Sequence, residues 1–450
     1  MPDTSAILIP DEVGYIIETL EKHGFEAYTV GGCVRDSLMG NQPKDWDICT
    51  SALPEQTKEC FKSFHIIETG LKHGTITLRV NHKPFEITTY RIDGEYRDNR
   101  RPESVEFVKS LKQDLSRRDF TINAIAYNPT KGIIDFYNGA SDISAGVIKC
   151  VGDPDKRFSE DALRIMRALR FACELRFKID KDTSAAMSGN RKLLHNIAAE
   201  RIADELNRMI VCGGVGGIIS EYLDVMAEII PEIKPMVGFK QNTPYHCYDV
   251  FEHTMKSIDA APFDVQIRLT MLFHDIAKPL HYTELNGVGH FYGHSQTSSG
   301  MAKKILRRLK YDNNTVDTVS LLILYHDSKI NPDRLSLKRW LNKIGEERLR
   351  QLFEVKRADA NAQAEQYRSG KLSGLDEAVR ITDAIISERQ CFALKDLAVN
   401  GRDMIDAGVT EGPDIRFMLN KLLDMVINEQ IENTKESLLA AVKDIHATIG

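Results

Sequence analysis

Two short stretches, Gly31-Gly32-Cys33-Val34-Arg35-Asp36 and Asp45-Trp46-Asp47-Ile48, constrain this chain more than anything else in it. They follow Ala27–Val30, a run with strand character. Glycines at the end of a strand let the backbone approach a phosphate, and a helix starting there offers unbonded N–H groups to the same anion. Gly31 and Gly32 are therefore candidate nucleotide-binding residues. Asp45 and Asp47 are two apart, so on a strand both side chains point to one face. Adjacent carboxylates repel unless a divalent cation sits between them, and an all-oxygen site suits Mg²⁺ with substrate phosphates as further ligands. A third acid is expected from a neighbouring strand, and Glu86 interrupts the apolar alternation of Phe85-Glu86-Ile87-Thr88. Alone, Asp45 and Asp47 also fit a solvated turn after Pro43-Lys44; the upstream glycines weigh against that.

The rest of the chain divides by texture. Val13, Ile16, Ile17 and Leu20 recur at helical spacing over 11–23, with Gly24 as the stop. From Glu26 to Cys150 short strand-like runs alternate with turns, among them Ile76–Val80 and Glu86–Tyr90. After Asp155 the pattern is helical. One helix is expected over Ser159–Leu175, with Leu163, Met166, Leu169 and Cys173 on one side. Gly213–Gly217 breaks the pattern and reads as a joint. A length of 450 residues implies two to four domains. The fold class is α+β: a head with a mixed sheet over 1–150, then all-α parts over 151–238, 239–365 and 366–450.

Hydrophobic content of 42% and charged content of 28% are those of a soluble globular protein. No apolar run approaches the ~20 residues that span a bilayer, and Met1–Pro10 lacks the features of a secretory signal. No membrane partner and a cytoplasmic location are expected. The eight cysteines form no CxxC pair and read as reduced thiols. A net charge of −6 argues against coating DNA, not against a local RNA-binding surface. Arg157, Arg164, Arg167, Arg170 and Arg176 would form such a surface, although solvated arginines fit the pattern too.

Further motifs follow in order: Ser116-Arg117-Arg118-Asp119-Phe120-Thr121-Ile122-Asn123-Ala124, Glu160-Asp161-Ala162-Leu163-Arg164 and Glu200-Arg201-Ile202. Together with GGxVRD and DxDI they resemble the class II tRNA nucleotidyltransferase and bacterial poly(A) polymerase family, within the DNA polymerase β superfamily. The resemblance covers roughly the first 215 residues closely. It implies a polymerase β-like head followed by a helical neck, and addition of CCA to the 3′ end of tRNA from CTP and ATP with release of pyrophosphate. Siblings that add only A, or a poly(A) tail, share the motifs. The resemblance assigns Asp45, Asp47 and Glu86 to catalysis, and Arg118 and Asp119 to triphosphate and ribose, with Asn123 as a helper. Arg35 and Asp36 either contact the triphosphate or form a structural pair.

Spacing puts Glu160 with Arg164, and Asp161 with Arg164, on one helix face. An ordinary salt bridge would explain that; the resemblance implies instead that Asp161 and Arg164 read the base, Glu160 holds the guanidinium, and Arg167 joins the nucleotide set. The charged segment from Asp93 to Pro102 resembles the family's flexible loop for switching from C to A, or is a plain hairpin loop.

The middle of the chain carries His253, His274-Asp275 after an apolar helix, His290, His294, His326-Asp327 and Asp359. The adjacent His274-Asp275 pair, His253 and a later Asp are a good set of nitrogen and oxygen ligands for a first-row metal. The pattern resembles the HD superfamily of metal-dependent phosphohydrolases, and the resemblance implies His253, His274, Asp275 and Asp359 as the first ligands, with His294 and His326 available for a second metal or a phosphate. Hydrolysis of a phosphodiester or monoester, such as a 2′,3′-cyclic phosphate or a nucleotide, is then expected, unless the histidines are structural remnants. An HD hydrolase with an inactive polymerase-like head is the competing reading. The oligomeric state stays open between monomer and homodimer.

Overall fold

The computed structural model describes residues 7–68, 70–94 and 104–449. The chain forms two compact units, Met1–Pro231 and Glu232–Gly450. In the first, the expected opening helix is α1 (Asp11–Lys22), whose Val13, Ile16, Ile17 and Leu20 are buried. Then follow β1 (Ala27–Val30), α2 (Gly32–Leu38), β2 (Asp47–Thr50), α3 (Pro54–Cys60), β3 (His65–Ile67), β4 (Thr75–Val80) and β5 (Lys83–Thr89). The short hairpin β6 (Arg91–Asp93) and β7 (Val105–Phe107) precedes α4 (Leu111–Ser116), β8 (Ile125–Asn128), β9 (Gly132–Asp135) and α5 (Gly139–Ala145). The segment proposed as a switching loop lies outside the described residues beyond Gly94.

Seven strands form one mixed sheet in the order β3-β4-β5-β2-β1-β8-β9. β2 lies antiparallel to β1 and parallel to β5, pairing Asp47 with Glu86 and Ile48 with Ile87. Alternation sends Ile48, Phe85 and Ile87 into the core beneath α1. Asp47 and Glu86 therefore point to the opposite side, where Cys49 packs with Leu111 and Leu115 of α4.

The neck residues pack in the same unit: α6 (Pro154–Glu160), α7 (Leu163–Leu175), α8 (Lys181–Asn190), α9 (Ala199–Ile210), α10 (Val215–Glu221) and α11 (Leu223–Ile229). A short parallel pair, β10 (Val147–Ile148) and β11 (Lys178–Ile179), accompanies them. Two expectations are corrected. The helix over Ser159–Leu175 is broken, because Asp161 is extended at φ −138° between α6 and α7. The glycines at 213–217 do not join domains. Gly214 turns the chain at φ 77° into α10, whose Val215 and Ile219 are buried, and the units divide at Pro231.

The second unit is helical. α12 (Val250–Ala260), α13 (Val265–Phe273), α14 (His294–Arg308), α15 (Asn313–Tyr325), α16 (Arg334–Ile344), α17 (Glu346–Asn361) and α18 (Glu365–Ser387) precede the tail helices α19 (Gly401–Asp406), α20 (Pro413–Ile427) and α21 (Lys435–Ile449). Met404, Leu422, Leu438 and Val442 centre the tail's own core. The hairpin β12 (Thr283–Leu285) and β13 (Val288–His290) stands between α13 and α14. No described helix is long and apolar enough to cross a membrane. All eight cysteines are free thiols.

Candidate functional site

At the end of β1 the chain turns at Gly31, with φ 87°, and its N–H bonds the Ile125 carbonyl on β8 at 3.2 Å. A β-carbon at Gly31 would come within 3.0 Å of Arg118 Nη1, so the glycine makes room for a cation. Asp45 precedes the strand rather than lying on it. Trp46 packs into the apolar core, which turns its neighbours Asp45 and Asp47 outward. Asp45, Asp47 and Glu86 are all exposed at the side chain. Desolvation, then repulsion from Asp47 and Asp45, raises the Glu86 carboxyl. Asp47 is raised likewise, with Arg118 pulling the other way. Asp47 and Glu86, both raised beside Asp45 with one arginine to offset them, are short of positive charge, which is the condition a divalent cation relieves. The trio is open: its carboxylates do not all lie within 4.8 Å of one another, as the histidine groups below do.

Arg118 is held loosely. Its Nη1 reaches the Asn123 carbonyl at 3.5 Å, Nη2 lies 3.8 Å from Asp114, and Nε is buried with no hydrogen-bond partner among the described residues. Arg35 is the opposite. It is buried, donates to Asn123 Oδ1 at 2.8 Å and pairs with Asp36 at 2.7 Å. Asn123 donates in turn to Asp119 at 3.2 Å, and Arg167 grips the other Asp119 oxygen at 2.7 and 2.9 Å. Burial pushes Asp119 up, but Arg167 outweighs it and holds the carboxyl at about 2.

Arg164 donates to Glu160 at 3.0 Å, to the Arg157 carbonyl at 3.2 Å and to the Arg117 carbonyl at 3.0 Å. Glu160 thus holds the guanidinium as expected, though across the break between α6 and α7. Asp161 does not share a helix face with Arg164; its carboxylate meets Arg201 at 3.3 Å. The basic stretch is largely committed inside the protein. Arg170 is 2% exposed and donates to Glu205 at 2.6 Å and Glu174 at 2.8 Å. Arg157 pairs with Glu160 at 2.7 Å. Glu160 on α6, Glu174 on α7 and Glu205 on α9 thus engage Arg157, Arg164 and Arg170 inside the protein, while Arg176 is exposed.

In the second unit, two groups of ligating atoms lie within 4.8 Å of one another: His253, His274 and Asp359, and Asp275, His294 and His326. Nδ1 of each histidine faces a backbone carbonyl, on Ala362, Met271, Phe291 and Ile323 respectively. This fixes the tautomer and turns every Nε2 inward. The inward nitrogens crowd: His253 and His274 stand 3.4 Å apart, His294 and His326 3.3 Å. Asp275 lies between, with Oδ2 3.1 Å from His274 and Oδ1 3.4 Å from His294 and 3.6 Å from His326. Both its oxygens are buried, and Oδ2 pairs with Lys278 Nζ at 2.7 Å. Facing lone pairs around a bridging carboxylate form a donor set for two cations. The centre opens into a cavity of about 490 Å³ that Tyr245, His246, Lys278, Tyr292 and Gln363 also line.

Three family profiles match the chain: the poly A polymerase head domain over 27–149, the RNA- and SrmB-binding site of polymerase A over 176–235, and tRNA nucleotidyltransferase domain 2 over 291–442. The CCA-adding enzyme of Lactobacillus helveticus is 32% identical over 435 residues, 96% of each chain. The chain belongs to the CCA-adding enzyme family. The Geobacillus kaustophilus CCA-adding enzyme is 32% identical, again over 96% of both chains. The crystal structure of the Bacillus stearothermophilus CCA-adding enzyme in complex with CTP superimposes with a TM-score of 0.70 at 29% identity, covering 98% of this chain and 99% of that one. The Thermotoga maritima CCA-adding enzyme complexed with tRNA shares the fold at 19% identity and a TM-score of 0.59.

Within this CCA-adding enzyme family member, several residues near the sites carry no motif in sequence. Arg201 was legible only as part of a helix start, and Glu205 had no signal. Lys278, which lies 2.7 Å from Asp275 and 2.8 Å from Gln241, was findable from its i,i+3 spacing to Asp275. Gln241 and His246 come from the loop before α12, and nothing local marks them.

Proposed function

We propose that this chain completes the 3′ end of tRNA by adding C, C and A from CTP and ATP, with release of pyrophosphate. The carrying observation is the pairing of Asp47 with Glu86 on adjacent parallel strands, with Asp45 turned to the same side by Trp46. Asp45, Asp47 and Glu86 would hold Mg²⁺. When bound, the ion lowers the pKa of the attacking 3′-hydroxyl and neutralises charge on the leaving pyrophosphate. The chain's own groups do the rest. Gly31 and Gly32 admit the triphosphate to the backbone, and the loosely bonded Arg118 meets its charge. Asp119, whose oxygens already accept from the Phe120 N–H, Asn123 and both Arg167 nitrogens, contacts the ribose 2′-OH by exchanging one of these bonds. Arg164, steadied by Glu160, and Asp161, steadied by Arg201, face the Watson–Crick edge of the incoming base. Purified protein incubated with tRNAs ending before CC, after C and after CC, with CTP and ATP, tests this. Completion of all three ends to CCA is expected; addition of A alone, or of long A tails, contradicts it.

For the second unit we propose a centre that hydrolyses a phosphate ester, in which His253, His274 and Asp359 would hold one divalent ion, His294 and His326 would be available for a second, and Asp275 would serve as a ligand between the two groups. The carrying observation is the buried Asp275 carboxylate set between two clusters of ligating atoms, with four Nε2 atoms turned inward. Elemental analysis of the purified protein, with His253→Ala alongside, tests it: near-stoichiometric metal in the parent and loss in the variant are expected, and a metal-free parent after reconstitution contradicts it. Hydrolysis without any nucleotide addition would make the histidine centre the protein's whole activity.

A further inference from the structure

Phe171 lies on α7 and is 5% exposed, yet what surrounds its ring is charged. Arg35, Arg167 and Arg170 place their guanidinium carbons 5.2, 5.3 and 4.1 Å from the ring centroid, and Phe120 meets it edge-on at 5.8 Å and 85°. The three cations come from two places, α2 of the head and α7 of the neck. Like charges gathered around one ring repel, and acids offset them from the outside: Asp36 on Arg35, Asp119 on Arg167, Glu205 and Glu174 on Arg170. From the inside only the ring's negative face does so. Leucine or methionine would fill comparable space without that face.

The consequence concerns Asp119, which the proposed polymerase reading assigns to the ribose. Arg35 and Asp119 are joined through Asn123, and Asp119 is joined to Arg167. Phe171 closes this path, because its ring meets both terminal arginines. We infer that Phe171 is a positioning residue for nucleotide selection: by holding Arg35 and Arg167 against one surface it fixes both ends of the Asn123–Asp119 pair, and with it the ribose-facing carboxylate. The inference rests on the head being a working polymerase.

The test measures KM and kcat for CTP and ATP on tRNA lacking CCA, together with the preference for ribo- over deoxyribonucleoside triphosphates. The parent is run first, then Phe171→Leu and Phe171→Met, with melting temperatures for all three. In each variant KM should rise about tenfold and the ribose preference fall about tenfold, as loss of one or two partly buried cation–π contacts implies, with kcat within roughly twofold. Either variant suffices should the other not fold. Unchanged KM and ribose preference, or a drop in kcat that tracks a lower melting temperature at constant KM, overturns the inference. A parent that adds no nucleotide sinks the polymerase reading and this inference together; variants matching an active parent sink the inference alone.

Discussion

At the scale of the residue, Asp119 shows burial and charge in direct opposition. Desolvation alone would raise it, but Arg167 and neighbouring donors bring it from an ordinary 3.8 to about 2. A carboxyl lower in the folded than in the unfolded chain stabilises the fold above its ordinary value. That contribution is lost as pH falls from about 3.8 through about 2. Asp119→Asn should therefore be less stable at neutral pH and have a shallower acid limb in that window, read by denaturant unfolding at stepped pH. An unchanged acid limb would mean the Arg167 contact contributes nothing. The head acids behave oppositely, since both Asp47 and Glu86 are raised. Asp47 was legible in sequence from its pairing with Asp45 downstream of the glycines, although Asp45 lies before the strand, and Glu86 because it interrupts an apolar alternation. Arg118 and Asp119 were legible only through motif resemblance. Phe171 and Glu205 were not legible at all, because a phenylalanine and a glutamate at helical spacing look the same whether they meet solvent, core or arginines.

At the scale of the element, the glycine turn between β1 and α2 is the joint on which the site depends. Gly31→Ala would put a methyl 3.0 Å from Arg118 Nη1 at a φ of 87°. The backbone cost is on the order of 1–3 kcal/mol. A lower melting temperature and a raised KM for both nucleotides are expected, from thermal unfolding and steady-state kinetics; a variant matching the parent in both would contradict the account of this turn. Elements with a clear period were read correctly, including α1 and the strands that became β1, β4 and β5. The break at Asp161 was invisible, since no proline or glycine marks it. Tertiary partners, Arg201 for Asp161 and the Arg117 carbonyl for Arg164, override the local helical preference there. The glycines at 213–217 misled for the converse reason: they permit a turn, and packing of Val215 and Ile219 keeps that turn inside one unit.

At the scale of the whole molecule, two units carry two kinds of candidate donor set. The head offers an open, all-oxygen trio, and the helical unit a closed, nitrogen-rich pair of triads. Ions bound only by the folded form stabilise it by mass action, by about 2.7 kcal/mol at a hundredfold excess over Kd. A strong chelator should therefore lower the melting temperature of the parent and leave a His253→Ala, Asp275→Ala double variant unmoved; equal shifts in both would place the chelator's effect elsewhere. The account as a whole depends on the head acids. Single-turnover addition of nucleotides to a tRNA lacking CCA, by the parent and by Asp47→Asn, tests that most directly, with metal in the helical unit assayed alongside. Loss of roughly 10²–10³-fold in rate, with fold and histidine-bound metal intact, is the result predicted. Addition by Asp47→Asn at close to the parental rate would contradict it.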